Sequence, residues 1–171
     1  MFVRNFIAIC VLSCSLPIIA SAASIDSIYT DLSSNRCKTI EIDKETGDSV
    51  RKCPGVAGYS LLVQDFDGRE SVTVLTADGQ RHSLNYHQVI TRGGFSSLAQ
   101  KAEWRVTRRK GKVLPRALIV RVNANESTSY LAVAKIAAEK VCVTQKVEGG
   151  AKANEEARRA ADISAQKPCL E

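Results

Sequence analysis

The chain has 171 residues, of which 44% are hydrophobic and 25% charged, and a formal net charge of +6. This length is typical of one domain. The positive excess is smaller than that of most general nucleic-acid binders, so nucleic acid is not an expected partner. Beyond the N-terminal region no apolar run is long enough to span a bilayer, and we predict no transmembrane segment in the mature chain.

The N-terminal region has the pattern of a secretory signal peptide. Arg4 precedes an almost wholly apolar run over residues 6–20, and Ala20-Ser21-Ala22 offers the small-x-small pattern that signal peptidases accept. The run has the length of a signal-peptide core and is short for a membrane span. The pattern therefore predicts a signal peptide over residues 1–22.

Cleavage after Ala22 or Ala23 would release a periplasmic or secreted chain, which we interpret as a single α+β domain over residues 23–171. Two alternatives stay open. The apolar run could be retained as a membrane anchor, or Cys14 could be modified by lipid, since residues 11–14 weakly resemble a lipobox.

The mature chain would keep four cysteines, Cys37, Cys53, Cys142 and Cys169. An even number of cysteines in an exported chain predicts disulfide bonds. Of the three pairings that four cysteines allow, we favour Cys37–Cys53 and Cys142–Cys169, because each closes a short segment that local structure can bring together.

The sequence predicts no cofactor and no metal site. It contains no Cys-x-x-Cys pair, so a thioredoxin-like redox role has little support. His82 and His87 lack metal-ligand spacing to any cysteine pair. Residues 65–68 match a fragment of a calcium-binding loop, but the later ligands are missing and a hairpin turn is the better interpretation.

In chain order, residues 24–36 are polar and are expected to run over the surface. Residues 38–43 alternate as a half-buried strand, and residues 50–53 can return beside them. Strands at 59–64 and 71–76 are joined by Asp67-Gly68, which favours a tight turn with positive φ. A short strand at 81–86 then extends the hairpin into a meander.

Further strands are predicted at 102–108 and 117–122. Residues 127–147 mix helix-forming and strand-forming residues, and we interpret them as two strands around a turn near Ala138-Glu139. The last element is a helix with Asn154 as its N-cap and Pro168 after its end. Its small-residue face comprises Ala157, Ala160, Ala161 and Ser164. The predicted fold class is α+β: a disulfide-tied antiparallel β-sheet meander with a C-terminal helix.

Several short motifs resemble a family of small exported bacterial proteins. They are the segment Tyr29-Thr30-Asp31-Leu32, Cys37, Cys53-Pro54-Gly55 with Gly58-Tyr59, Asp67 with Arg69, Glu103-Trp104-Arg105, and the segment from Cys142 to Cys169. The family has no established activity, so the resemblance implies a setting in the bacterial envelope and no site residues. Gly68 stands where relatives tend to have a bulkier residue, which favours the turn.

The strongest local anomaly is a basic segment, residues 104–125, which carries seven cations and no acid. In a hairpin these cations would form a positive surface able to attract an anionic envelope polymer, a lipid head group or an acidic protein. The alternative is a solvated hairpin tip with Trp104 in the core. The candidate anion- or partner-binding residues are Trp104, Arg105, Arg108, Arg109, Lys110, Lys112, Arg116 and Arg121.

These observations favour a non-enzymatic interaction module of the cell envelope. A rival hypothesis is a small envelope hydrolase that uses paired carboxylates or a histidine, with Asp65, Glu70, Glu103 and His87 as candidates. It requires two of these side chains to converge in one pocket. A purely structural envelope role is a third hypothesis that the sequence does not separate from the first.

Overall fold

A computed structural model describes residues 24–138 and 140–171. The predicted signal peptide, its cleavage site and Cys14 lie outside the described residues. The described part contains two antiparallel sheets and a C-terminal helix, and this confirms the predicted α+β fold class. No helix within these ranges is both long and apolar enough to cross a membrane.

The strands are β1 (Ile25–Asp31), β2 (Lys38–Ile42), β3 (Ser49–Pro54), β4 (Ser60–Phe66), β5 (Arg69–Leu75), β6 (Arg81–Ser83), β7 (Ser97–Arg109), β8 (Lys112–Asn123), β9 (Ser129–Ile136) and β10 (Val141–Glu148). The helices are α1 (Tyr86–Val89) and α2 (Ala153–Asp162), and a 3-10 turn follows at Ser164–Gln166. The first sheet has the order β1-β7-β8-β9-β10 and the second has the order β2-β3-β4-β5-β6.

The main core lies between the two sheets. Trp104 of β7 is fully buried there, and the ring of Tyr59 meets it edge-on with 6.1 Å between the ring centroids. Around them lie Leu61, Val63, Val72 and Val74 of the second sheet and Val106, Leu118, Val120 and Val122 of the first. Successive side chains along β4, β5 and β8 point to opposite faces, so one face of each strand lies in this core.

A second core lies between α2 and the opposite face of the first sheet. The predicted small-residue face of the helix is buried on this sheet, with Ala157 fully buried against residues such as Ile119 and Val133. Alanine side chains let the helix approach closely. The predicted N-cap is wrong: Lys152 precedes the first helical residue, and Asn154 lies in the first turn with its side chain accepting a hydrogen bond from Arg121.

The tight turn at Asp67-Gly68 has the backbone that the sequence predicts, and a second turn has the same geometry. Asp67 and Gly68 have φ of 53° and 69°, as a two-residue hairpin turn between β4 and β5 requires. Lys110 and Gly111 repeat this geometry between β7 and β8. Among the described residues no group of three or more His, Cys, Asp or Glu is placed to hold a metal ion.

Three further segments differ in how far the structure agrees with the sequence prediction. Residues 127–147 do form two strands, β9 and β10, which pair antiparallel; Glu139 of the predicted turn lies outside the described residues. Residues 24–36 do not simply run over the surface, because β1 pairs along β7 with Ile28 opposite Trp104. The strand predicted at 81–86 ends at Ser83, and the short helix α1 begins at Tyr86.

Both predicted disulfide pairings are confirmed. Cys37–Cys53 ties the approach to β2 to the end of β3, and Cys142–Cys169 ties β10 to the C-terminal tail. The backbone N–H of Leu170 donates to the carbonyl of Val143 at 2.8 Å, so the tail runs beside β10. The terminal segment is thus fixed to the first sheet at two adjacent points.

Candidate anion-binding surface

The β7–β8 hairpin ends in a cluster of exposed cations, which we call the basic tip. Thr107 pairs with Leu114 at the end of this cluster away from the turn, and Arg109 pairs with Lys112 beside the turn. Because the turn projects these side chains into solvent, their charges remain hydrated and accessible. The basic tip comprises Arg108, Arg109, Lys110, Lys112 and Arg116.

Carboxylates neutralise little of this charge. Arg108 Nε lies 3.6 Å from Asp26 Oδ2, and both side chains are about half exposed. Such an exposed pair contributes about 0–1 kcal/mol and can exchange for another anion. Within the part of the chain that the structure describes, no carboxylate forms an ion pair with the other four cations of the basic tip. The basic tip is therefore a surface of net positive charge.

The basic tip also borders a cleft of about 450 Å³. Arg108, Arg109 and Arg116 contribute the cationic part of its lining, and Asp162, whose carboxylate is bound by Arg105, contributes an acidic group. Ile25 of β1 and Leu114 of β8 contribute apolar surface, and Leu114 is 40% exposed. The cleft thus places guanidinium groups next to apolar side chains, an arrangement that suits an anionic group attached to a hydrocarbon body.

Trp104 does not belong to this surface. It is fully buried between the sheets, and its Nε1 donates a hydrogen bond to Thr30 Oγ1 at 2.9 Å. The indole therefore cannot stack on a ligand at the basic tip, and the alternative that places Trp104 in the core is the correct one.

Arg105 is also unavailable for ligand binding. Its guanidinium binds Asp162 through Nε at 2.8 Å and through a second nitrogen at 2.9 Å, and the residue is only 9% exposed. The hydrogen bonds that Arg105 donates to the Asp162 carboxylate raise the pKa of Arg105 above its ordinary value. A bidentate pair of this kind fixes geometry as well as charge, so Arg105 holds the C-terminal end of α2 on the first sheet.

A second, partly buried ion pair holds the middle of the helix. Arg158 Nε donates to Glu103 Oε1 at 2.7 Å, and Ser27 Oγ donates to the same oxygen at 2.5 Å. The hydrogen bond to Glu103 is the main cause of the raised pKa of Arg158. The sequence gives no sign of this arrangement, because Ser27, Glu103 and Arg158 are distant along the chain and meet only when α2 packs on β1 and β7.

The four candidates for hydrolase chemistry do not meet at one site, although Asp65 and Glu70 are cross-strand neighbours. Asp65 and Glu70 lie opposite each other on the second sheet, Glu103 lies on the first sheet beneath α2, and His87 is exposed on α1. Glu70 already accepts a hydrogen bond from Arg51 at 2.5 Å and another from the backbone N–H of Leu98 at 2.6 Å. Glu70 and Glu103 therefore hold structural contacts.

Arg121, the last of the predicted site residues, lies away from the basic tip, beside the beginning of α2. Of the eight residues predicted from the basic segment, the structure brings five together at the basic tip and assigns Trp104, Arg105 and Arg121 to other environments.

Comparisons of the chain with protein-family models, with curated proteins and with solved structures found no match.

Proposed function

We propose that this protein is an exported, non-enzymatic interaction module that recognises an anionic component of the cell envelope through the basic tip. The predicted signal peptide and the resemblance to exported bacterial proteins motivate the location. Two disulfide bonds support it, because such bonds persist in oxidising compartments.

One observation carries the proposal: five exposed cations near the end of one hairpin, of which one is paired with a carboxylate among the described residues. Charges grouped on one surface attract an anionic surface or polymer over about a Debye length. The neighbouring cleft adds Leu114 and Ile25, which can contact the non-polar part of the bound molecule. A binding role needs no catalytic group at this surface.

The test is charge reversal at the basic tip. Arg109, Lys112 and Arg116 are exposed, and their replacement by glutamate removes none of the buried contacts described above. Each basic residue near an anionic membrane surface contributes about 1 kcal/mol. The triple variant should therefore bind phosphatidylglycerol-containing vesicles roughly a hundredfold more weakly in a sedimentation assay. Binding by the unmodified protein should also fall as salt is raised.

The chain provides a matched control on the second sheet. Lys38 and Lys52 are exposed and lie opposite each other on β2 and β3, as Arg109 and Lys112 do on β7 and β8, and Lys44 is exposed nearby. Replacing these three lysines with glutamate changes the net charge equally and should leave most of the binding intact. Equal losses in the two triple variants would show that net charge alone drives binding and would refute the proposal.

A further inference from the structure

A second cationic site lies under the beginning of α2, on the outer face of the first sheet. It is a cavity of about 230 Å³, which we call the helix-side cavity. Its polar lining comprises Tyr29, Lys101, Glu103, Arg121, Asn154 and Arg158. Strands β1, β7 and β8 supply the first four of these side chains, and α2 supplies the last two.

Most charges at the helix-side cavity are compensated. Glu103 is paired with Arg158 at 2.7 Å, with Arg105 4.0 Å away. Lys101 Nζ lies 2.9 Å from Asp31 Oδ2. Arg121, by contrast, forms no ion pair with any carboxylate in the described ranges. The helix-side cavity therefore has a surplus of one positive charge, carried by the guanidinium of Arg121.

That guanidinium is held in place by neutral groups. One terminal nitrogen donates to Ser129 Oγ at 2.9 Å, and the other lies 3.4 Å from Asn154 Oδ1. Gly149 packs closely beside it, since a Cβ atom at this position would lie 3.4 Å from the first of these nitrogens. A cation that is already oriented loses less conformational freedom when it binds an anion, and this favours affinity.

The remaining lining of the helix-side cavity is apolar. Ile119 and Leu131 are each 4% exposed and lie against it, together with Ala99. Tyr29 also lines the cavity and is 52% exposed. An oriented guanidinium beside apolar side chains matches a small molecule with one anionic end and a compact non-polar body.

We propose that the helix-side cavity binds a small monocarboxylate, with its carboxylate on Arg121 and its apolar body against Ile119 and Leu131. A guanidinium matches a carboxylate with two parallel hydrogen bonds. The surplus of one charge favours a monoanion, because a dianion would place an uncompensated negative charge near Glu103. This site is separate from the basic tip, and the proposal does not depend on recognition by that surface.

Isothermal titration with sodium benzoate tests the assignment, with inorganic phosphate as the comparison ligand. Benzoate should bind at one site, and Arg121→Gln should weaken binding roughly tenfold or more, since a hydrogen bond to a charged group is lost. Arg121→Lys should retain part of the affinity because it keeps the charge. Arg81→Gln, which removes an exposed cation on β6, should leave binding unchanged.

A second variant makes the test independent of Arg121. Ala99→Leu reduces the space in the helix-side cavity and leaves the guanidinium intact, so it should weaken benzoate more than acetate. Absence of benzoate binding to the unmodified protein would overturn the proposal, as would tighter binding of phosphate than of benzoate. Equal benzoate affinity in Arg121→Gln and the unmodified protein would overturn it as well.

Discussion

The hydroxyl group of Tyr86 lies in the core between the sheets, where no described residue forms a hydrogen bond with it. Burial raises the pKa of the Tyr86 hydroxyl, because a phenolate there would lose its hydration. An unsatisfied buried group costs about 1–3 kcal/mol. Tyr86→Phe is therefore expected to increase the free energy of unfolding by about 1 kcal/mol, measured by urea denaturation.

The control for this change is Tyr29→Phe. The Tyr29 hydroxyl accepts a hydrogen bond from Arg158 at 2.9 Å and is partly exposed, so its removal should be neutral or slightly destabilising. A Tyr86→Phe variant less stable than the unmodified protein would show that the hydroxyl has a partner, such as a buried water.

Trp104 and Arg105 show why alternation alone did not define the site. The sequence correctly places Trp104 and Val106 on one face of a strand and Glu103 and Arg105 on the other. It does not reveal that both faces of the first sheet are covered, one by the second sheet and the other by α2. Charged residues on the second face are therefore buried as ion pairs, although a half-exposed sheet would leave them in water.

At the scale of single elements, Gly149 determines how closely the end of β10 approaches β9. A Cβ atom at Gly149 would lie 2.5 Å from Ser129 Oγ and 2.8 Å from the Ser129 carbonyl oxygen. Because one of these contacts is with the backbone, Gly149→Ala requires a local shift and should cost about 1–3 kcal/mol. Thermal unfolding monitored by circular dichroism would measure the loss.

The adjacent glycine is a close control. A Cβ atom at Gly150 would meet no atom within 4 Å, so Gly150→Ala should change stability little. Similar destabilisation in both variants would indicate that flexibility of the Gly149-Gly150 segment, and not close packing, is the property that matters.

Strand β1 is one of the elements that the sequence failed to predict. Its residues are half-buried or exposed, and its exposed Tyr29 and polar Ser27 gave no clear apolar face. The strand forms because the backbone of β1 pairs over its whole length with residues 101–107 of β7, from Ile25 opposite Thr107 to Asp31 opposite Lys101. Strands β9 and β10 were predictable because their β-branched residues favour extended backbone locally.

At the scale of the whole molecule, the two disulfides should contribute comparably to stability. Their cysteines are 16 and 27 residues apart, and a closed loop of this size lowers denatured-state entropy by an amount worth about 3 kcal/mol. One variant replaces both Cys37 and Cys53 with alanine, and the other replaces both Cys142 and Cys169 with alanine. Each should lower the free energy of unfolding by that amount. Urea denaturation at neutral pH is the measurement.

The loop-length dependence predicts that the two double-alanine variants differ by less than about 1 kcal/mol. A much larger loss in one of them would show that its cysteines also make native contacts that alanine does not replace. Cys53 is the candidate for such an effect, because it is buried in the main core.

Both disulfide pairings were predictable because each joins cysteines close in sequence. The basic tip was predictable as a charged segment, since seven cations without an acid are visible in the chain. Its cleft was not, because Ile25 and Asp162 reach it from β1 and α2. The helix-side cavity was equally hidden, since its side chains come from four strands and a helix. Sites of this kind depend on tertiary packing.

The backbone hydrogen bond between Leu170 and Val143 affects whether the protein can associate with itself. β10 is the last strand of the first sheet, and an open strand edge is a template on which a second chain can pair. The C-terminal tail occupies part of this edge, held there by the neighbouring Cys142–Cys169 bond. Reduction of the Cys142–Cys169 disulfide would let the tail leave β10. A protein whose core remained folded would then expose the edge of β10, which is prone to aggregation.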